Sequence, residues 1–256
     1  MTSAFQDIRY ALRTLAKSPG FAAIAILTLA LGIGANTAIF SVVDTVLLKP
    51  LHYKSPDRLA MVWESLPRAN VSHNVVSPPN FLDWQQENRC FSDMAVFLDQ
   101  PSNLTGAGQP EQIAIQYVST NFFSVLGVNP MMGHGFSLQG AGSSGQIVPA
   151  EAENQTGTNP AQTNAVILSY GFWKSKFAAD PNIIGKTIAL NGQPNIVAGV
   201  MGPDFDWYVS EFSFTHEHPQ LWTPLKIRPE WHDRSKVGRF LRTVARLKPG
   251  VSLAQA

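Results

Sequence analysis

The pattern of hydrophobic and polar positions divides the chain into an apolar beginning and a long mixed remainder. Residues 18–43 carry no charged side chain, and residues 21–43 are apolar or small except for Thr28, Asn36, Thr37 and Ser41. A helix over 21–43 would be roughly 34 Å long at about 1.5 Å per residue, which is enough to cross a hydrocarbon core of about 30 Å. The pattern therefore predicts a transmembrane helix, with bounds at 19–48.

Two alternatives fit the apolar run less well. A buried helix of a soluble protein rarely continues this far without a charge. A cleaved signal peptide has a shorter apolar region that ends at a small-x-small site. Here the stretch 35–38, "ANTA", is a poor cleavage site, and the apolar run continues beyond it through 39–43. A retained span is favoured over both.

The flanking residues bear on the orientation of this span. Apolar side chains recur at helical spacing before it (Phe5, Ile8, Leu12 and Leu15), which predicts a short amphipathic cytosolic segment over 1–18, with a plain solvated cap as the alternative. The basic side chains are nearly balanced, with Arg9, Arg13 and Lys17 on one side and Lys49, Lys54 and Arg58 on the other. The positive-inside rule therefore gives only a weak bias towards a cytosolic amino terminus.

Small residues inside the span suggest helix packing. Ala30, Gly34 and Ala38 are spaced by four, and Ser41 extends the same face. Small residues at this spacing let a second helix approach closely, and the Asn36 amide is a candidate polar contact with that helix. Membrane helices are rich in glycine, so a coincidental pattern is the alternative. We expect Ala30, Gly34, Asn36, Ala38 and Ser41 to be the packing positions.

Beyond the span, short apolar runs separated by turn residues predict an α+β domain. The runs predict strands at 59–63, 94–98, 111–118, 165–168, 186–190, 195–200 and 242–247, and helices at 77–88, 120–127 and 170–178. Residues 137–163 lack aromatic side chains and are rich in Gly, Ser, Gln, Asn and Thr, which predicts a flexible loop.

Individual residues sharpen these predictions. Alternating Ile113, Ile115 and Tyr117 predict a half-buried strand, and Asn191-Gly192 predicts a β-hairpin turn. We expect Ser119 and Ser169 to be helix N-caps. Ser252 is likewise predicted to cap a helix that would begin near the last residue of the sequence.

Composition narrows the classes of function. The net charge is +1 and charged residues make up 14% of the chain, so the basic footprint of a nucleic-acid-binding protein is missing. The single cysteine, Cys90, excludes an internal disulfide framework. Hydrophobic residues reach 45%, partly because of the predicted span. These values favour a membrane-associated protein without nucleic-acid partners.

Candidate chemistry is weak throughout. Gly185-Lys186-Thr187 imitates the end of a phosphate-binding loop, but Asp180 occupies the position of the required first glycine. His216 and His218, with His232-Asp233, are weak candidates for a zinc site and favour a solvated loop instead. No activating neighbour is evident for Cys90. We therefore predict no catalytic residues, no metal and no cofactor, and a protein that is not an enzyme.

The ordered motifs resemble a known family. The segment 7–51, "DIRYALRTLAKSPGFAAIAILTLALGIGANTAIFSVVDTVLLKPL", is similar to the amino terminus of MacB/FtsX-type ABC transporter permeases, especially the large acidobacterial-type family. Further segments resemble the MacB-like periplasmic core domain that follows the first membrane helix of these permeases, namely 56–64, 77–97, 103–133, 166–201 and 240–256. The polar stretch 137–163 is longer than its counterpart in the family.

The resemblance implies an organisation and a role. We expect a cytosolic segment at 1–18, a transmembrane helix at 19–48 and a MacB-like periplasmic core domain at 49–256. Members of the family continue into further membrane helices, so the resemblance implies that the chain is incomplete at its carboxyl end: a fragment, one half of a split permease or a gene remnant. It also implies a single pass through the bacterial inner membrane, with the amino terminus cytosolic and the domain outside.

The implied function is that of a permease portion that couples a separate ABC ATPase to an extracytoplasmic domain, for efflux or handling of envelope substrates. Expected partners are the membrane, other permease helices or a second permease copy, the ATPase and a periplasmic protein. The alternative is a membrane-anchored extracytoplasmic binding module that works without an ATPase.

Overall fold

A computed structural model describes residues 17, 19–43, 53–106, 108–136, 165–226 and 229–256. The chain divides into two compact units, Met1–Leu51 and His52–Ala256. Three predicted features lie wholly or partly outside the described residues. They are the amphipathic segment 1–18 (except Lys17), the last part of the span at 44–48, and the flexible loop 137–163.

The first unit contains one long helix, α1, at Pro19–Val43. Its portion Pro19–Phe40 is long and apolar enough to cross a membrane, and the most apolar part of it is not buried against other residues. The hydroxyl of Thr28 donates to the carbonyl of Ile24 at 2.8 Å, so this polar side chain is satisfied within the helix. The apolar helix predicted from the sequence is therefore present.

The second unit is a mixed α+β domain built on one large sheet. Its described strands are β1 Leu59–Val62, β2 Glu64–Leu66, β3 Val71–Asn74, β4 Phe91–Thr105, β5 Glu111–Val118, β6 Met132–Gly133, β7 Ala165–Leu168, β8 Thr187–Leu190, β9 Gln193–Val200, β10 Leu221–Pro224 and β11 Arg242–Leu247. Its described helices are α2 Pro78–Glu87, α3 Phe122–Leu126 and α4 Tyr170–Lys176.

The strand order of the large sheet is β1-β11-β4-β5-β10-β7-β9-β6, while β2 and β3 form a separate hairpin. β10 runs parallel to β5, and β7 runs parallel to β9. β8 pairs with β9 and also with the far end of β4, where Leu104 lies opposite Leu190. Strands β4, β5, β10, β7, β9 and β8 consequently form a closed ring of pairings.

Local chemistry explains the elements that the sequence predicted. Asn191 and Gly192 adopt φ values of 51° and 79°, which the tight β8–β9 turn requires. The Ser169 hydroxyl accepts a hydrogen bond from the Phe172 amide and caps α4. Residues 253–255 form a turn in which the Gln255 and Ala256 amides donate to the Ser252 carbonyl, while the Ser252 hydroxyl donates to Gln255 Oε1 and caps no helix.

Three predictions need correction. The N-cap of α3 is Asn121, because the Ser119 hydroxyl instead accepts the Val96 amide at 3.1 Å. β5 is not half-buried, since it lies between β4 and β10 and even Gln116 is fully buried. β4 extends far beyond the predicted 94–98 because its polar second half pairs with β5 and β8. β2, β3, β6 and β10 were not predicted.

Aromatic side chains fill the core beside the central strands. Phe97 of β4 lies 5.5 Å, between ring centroids, from Trp207, and Phe122 of α3 lies at the same distance from Trp207. Trp222 of β10 contacts Phe123 of α3 at 5.8 Å. The residue Trp207 belongs to the irregular segment 202–220, which connects β9 to β10, so this segment is part of the core.

Candidate functional site

The irregular segment 202–220 is fixed to the sheet by a buried ion pair. Asp99 of β4 and Arg242 of β11 are almost completely buried, and their Oδ1 and Nη2 atoms lie 2.5 Å apart. The Ser213 hydroxyl donates to Asp99 Oδ2 at 2.6 Å, and Arg242 Nη1 donates to the Val209 carbonyl at 2.6 Å. Asp99 therefore binds the segment at Ser213, and Arg242 binds it at Val209.

Neighbouring groups make further contacts with this pair. The Gln116 amide donates to Asp99 Oδ1 at 2.6 Å, and the Trp222 indole donates to Gln116 Oε1 at 3.1 Å. The Arg242 guanidinium also lies over the Phe97 ring, 4.5 Å from its centroid. Burial lowers the pKa of Arg242, whereas the charge of Asp99 raises it. Because a buried charge is stable only with partners, the network forces segment 202–220 into one position.

The outer side of this segment carries exposed aromatic residues. Ser213 points inward to Asp99, while Phe212 and Phe214 on either side of it are 41% and 61% exposed. The Phe212 ring lies 5.6 Å from the ring of half-buried Trp63, which itself lies 6.3 Å from the His73 ring. We call Trp63, Phe212 and Phe214 the aromatic patch.

A second contact group holds residues 53–58, the entry segment through which the chain passes into the domain. The Arg246 guanidinium donates to the Val125 carbonyl at 2.7 Å and to the Ser55 carbonyl at 3.3 Å. The Lys54 amide donates to the Leu126 carbonyl at 3.3 Å. The bonds to Val125 and Leu126 satisfy carbonyls at the end of α3, where a helix leaves acceptors unpaired.

Gly127 makes this close approach possible. It ends α3 with a φ of 71°, and a Cβ atom built on it would lie 2.4 Å from the Cβ of Lys54. Arg58 adds a hydrogen bond from Nε to the Leu247 carbonyl at 3.1 Å. Burial lowers the pKa of Arg246, and the charge of Arg58 lowers it further. The entry segment is thus attached to both α3 and β11.

Tyr53 connects the entry segment to segment 202–220. Its hydroxyl donates to the Asp206 carbonyl, and its ring contacts Phe205 and Trp207 at centroid distances of 6.2 and 5.7 Å. Burial raises the pKa of Tyr53, and the Asp206 charge raises it further, so this phenol remains protonated and donates throughout the physiological pH range.

A third polar cluster surrounds the buried carboxylate of Glu64. Its Oε1 accepts from the Ser77 amide at 2.8 Å and from the Asn80 side chain at 2.6 Å, and its Oε2 pairs with Arg239. Burial raises the pKa of Glu64, but the hydrogen bonds from Ser77, Arg239 and Asn80 outweigh it and lower the pKa overall. The cluster fixes the start of α2 against β2.

The helix α1 presents its small residues on two faces. At about 100° per residue, Ala30, Gly34, Ala38 and Ser41 lie within about 80° of one another. Asn36 lies about 200° around the axis from Gly34, on the face that also carries Thr28 and Gly32. The Asn36 side chain makes no hydrogen bond to any other described residue. All five positions stay predicted packing positions.

Two of the weak sequence candidates for chemistry pair with other side chains. His218 pairs with Asp206 at 2.7 Å and stacks on Tyr208, whereas Asp233 pairs with Lys236 at 2.9 Å. Within the described ranges, no three His, Cys, Asp or Glu residues are arranged to hold a metal ion. Thr187 begins β8, so a strand follows Gly185-Lys186 where a phosphate-binding loop needs a helix.

Sequence reasoning missed the network around Asp99 and Arg242. The available signal was a charge within each apolar strand pattern, "VFLDQ" at 96–100 and "RTVARL" at 242–247. A charge in a central strand usually has a buried partner. The pattern of a single strand does not identify that partner.

Several solved structures are similar to this chain. The solved structures similar to this chain include the periplasmic region of MacB from Actinobacillus actinomycetemcomitans, 14% identical over 77% of this chain and 76% of that one, with a TM-score of 0.48. A domain assigned to a permease protein from Porphyromonas gingivalis is 12% identical over 78% and 79%, with a TM-score of 0.52. The extracellular domain of the ABC-type transporter YknZ from Gram-positive bacteria is 10% identical over 75% and 83%, with a TM-score of 0.45.

These identities are too low to show more than a fold, and the Porphyromonas gingivalis domain is the one among the three that shares it at a TM-score above 0.5. The comparison with curated proteins found no match. The model of the MacB-like periplasmic core domain, in contrast, matches residues 22–256, which is most of the chain. The chain therefore belongs to the MacB-like periplasmic core domain family of ABC transporter permease-like proteins.

Proposed function

We propose that this chain is the amino-terminal portion of a MacB/FtsX-type permease that couples a separate ABC ATPase to an extracytoplasmic domain, for efflux or handling of envelope substrates. The observation that carries the proposal is the family match over 22–256, which begins inside an apolar helix long enough to span a membrane. The proposed organisation is a cytosolic segment at 1–18, a span at 19–48 and a periplasmic core domain at 49–256, in the bacterial inner membrane with the amino terminus cytosolic.

The entry segment is the proposed route by which motion of the span reaches the domain. Residues 53–58 are attached to α3 through Lys54 and Arg246, and to β11 through Arg58. β11 pairs with β4 and β1, so a displacement of the entry segment acts on strands of the large sheet rather than on a free loop. An attachment with several hydrogen bonds on two elements suits the transmission of force.

The two small-residue faces of α1 are proposed helix contacts. Ala30, Gly34, Ala38 and Ser41 would receive one helix at close approach, and Asn36 with Gly32 would receive another. An isolated anchor gains nothing from an asparagine in the hydrocarbon region, whereas a neighbouring helix can satisfy its amide. The partners are other permease helices or a second permease copy.

Co-purification tests the proposal. The full chain, tagged at its carboxyl end, is extracted in mild detergent from membranes of the host that encodes it, and the bound proteins are identified by mass spectrometry. The proposal predicts an ABC ATPase in stoichiometric amount. A chain that purifies from these membranes without any ATPase would instead support the independent binding module.

Orientation is tested separately with reporter fusions to the full span. A reporter active only in the periplasm, fused after Leu51, should be active, and a cytosol-active reporter at the same position should be silent. The reverse result would overturn the proposed orientation and leave the co-purification result unaffected.

A further inference from the structure

The aromatic patch is exposed because the network beneath it fixes the backbone. The Ser213 side chain turns inward to Asp99, so Phe212 and Phe214 are turned outward on the same segment. Phe214 is 61% exposed and has no ring contact with another described residue. A large apolar side chain in this state gains free energy when a partner covers it.

The backbone on both sides of Phe214 is strained. Phe212 has a φ of 56° and His216 a φ of 54°, in the left-handed region that side chains larger than Gly rarely adopt. The His216 amide donates to the Ser213 hydroxyl at 3.2 Å, so the anchor of the segment also holds its strained turn. Strain of this kind persists only where the surroundings enforce it, and it is concentrated at functional surfaces.

The charged side chains of the segment that carries Phe212 and Phe214 are acidic. Residues 187–225 contain no Lys or Arg, and the segment 202–220 carries four exposed carboxylates, those of Asp204, Asp206, Glu211 and Glu217. An anionic lipid surface would be repelled by these groups. A second copy meeting the patch through its own patch would bring like charges together. A basic partner is attracted to them and can also place a cation over the exposed rings.

We propose that the aromatic patch, with the carboxylates around it, docks a basic and apolar segment of an extracytoplasmic partner protein. This inference rests on the proposed function in one respect, because it supplies the surface for the periplasmic partner expected of the permease. The Phe212 and Phe214 rings bind the apolar side chains of the segment, and Glu211 and Glu217 bind its Lys or Arg side chains. The buried pair of Asp99 and Arg242 holds the surface in its binding conformation.

The test measures binding of defined peptides to the full chain in detergent micelles by fluorescence anisotropy. The probe is a fluorescein-labelled peptide that alternates lysine with leucine or phenylalanine. One comparison peptide carries glutamate for lysine, and another carries serine for the apolar residues. The proposal predicts saturable binding of the basic apolar probe alone, with affinity that falls as salt rises.

Matched variants assign the binding to the patch. Phe214→Ala and Glu217→Gln should each weaken binding several-fold, and Phe212→Ala combined with Phe214→Ala by about tenfold or more. Met131→Ala removes another exposed apolar side chain, and Glu87→Gln removes another exposed carboxylate, so both controls should bind as the wild type does. Circular dichroism of each variant verifies that the domain is folded.

Several outcomes would overturn the proposal. Equal binding of the basic and acidic peptides, or unchanged binding by the Phe212→Ala/Phe214→Ala variant, would remove the patch as a basic-segment site. Dimerisation of the chain that Phe214→Ala abolishes would assign the patch to a second copy, and Phe214-dependent binding to vesicles of anionic phospholipid would assign it to a membrane. These results leave the ATPase co-purification unchanged, so the two proposals fail separately.

Discussion

The carboxylate of Asp99 and the guanidinium of Arg242 face each other across adjacent strands β4 and β11, 2.5 Å apart and almost fully buried. This pair links the centre of the sheet to the irregular segment 202–220 through Ser213 and Val209. One buried interaction therefore determines both the packing of two strands and the position of the aromatic patch on the surface.

Removal of one partner should be costly. Asp99→Asn or Arg242→Met leaves an uncompensated polar or charged group in the interior, so each should lower the free energy of unfolding by about 3–5 kcal/mol. The measurement is the thermal unfolding of the full chain in detergent. As a control, Asp233→Asn breaks the exposed pair with Lys236 and should cost no more than about 1 kcal/mol. Equal effects at both sites would contradict the role given to the buried pair.

Acid should weaken the cluster around Glu64. Because the folded-state pKa of this carboxyl is lower than its unfolded value, the unfolded chain binds more protons, and stability rises with pH. The contribution is fully present above the ordinary glutamate pKa of about 4.3 and is lost as pH falls through the lowered folded value. The wild type should therefore lose more stability than Glu64→Gln between about pH 5 and pH 3. A parallel decline of the two proteins would contradict this assignment.

Gly127 should be intolerant of any side chain. Alanine there would collide with Lys54 and hold a strained φ, so Gly127→Ala should displace the entry segment and cost at least about 1–2 kcal/mol. Limited proteolysis should then cut near residues 53–58 faster than in the wild type. Gly171 offers a matched control, because it lies in α4 with nothing within 4 Å of its Cβ position, and Gly171→Ala should stabilise by about 0.5–1 kcal/mol. Unchanged cleavage in Gly127→Ala would mean that the entry segment does not depend on this approach.

A bulky residue on α1 should separate the span from its partner helices. Gly34→Leu fills the small-residue face, and we expect it to weaken helix association about tenfold, whereas Ile33→Leu lies between the two faces and should leave it unchanged. Cysteine cross-linking in membranes, with Cys90 replaced by serine, measures the association at Ala30→Cys. Cross-linking that persists in Gly34→Leu would show that this face is not the contact. Asn36→Leu tests the opposite face in the same way.

The sequence predicted the elements whose cause is local. The apolar run of α1, the Asn191-Gly192 turn and the Ser169 cap each depend on a few adjacent residues, and all three are present. β4 was predicted too short because Pro101 and its polar neighbours interrupt the apolar pattern, while the pairing that completes the strand comes from distant residues of β5 and β8. Ser119 was misassigned because its hydroxyl accepts from the amide of Val96, a residue of the distant strand β4.

The candidate site depended even more on distant contacts. The aromatic patch combines Trp63 with residues of segment 202–220, and its support comes from β4 and β11. The hydrophobic pattern of a single segment does not predict a contact between residues so far apart in the sequence. The small-residue positions on α1 were visible in the sequence, and they stay predictions because the helices that would contact them belong to other segments or chains.

ATP hydrolysis by the purified assembly tests the central claim most directly. The full chain and the ATPase that co-purifies with it are reconstituted in lipid nanodiscs, and hydrolysis is compared between the wild type, Gly127→Ala and the control Gly171→Ala. The account holds that the chain is a permease portion joined to an ATPase through its span and entry segment. The ATPase alone and the Gly127→Ala assembly should then each hydrolyse ATP at a rate different from that of the wild-type assembly. The Gly171→Ala assembly should hydrolyse ATP at the wild-type rate. A rate that is the same with and without the chain would contradict the account.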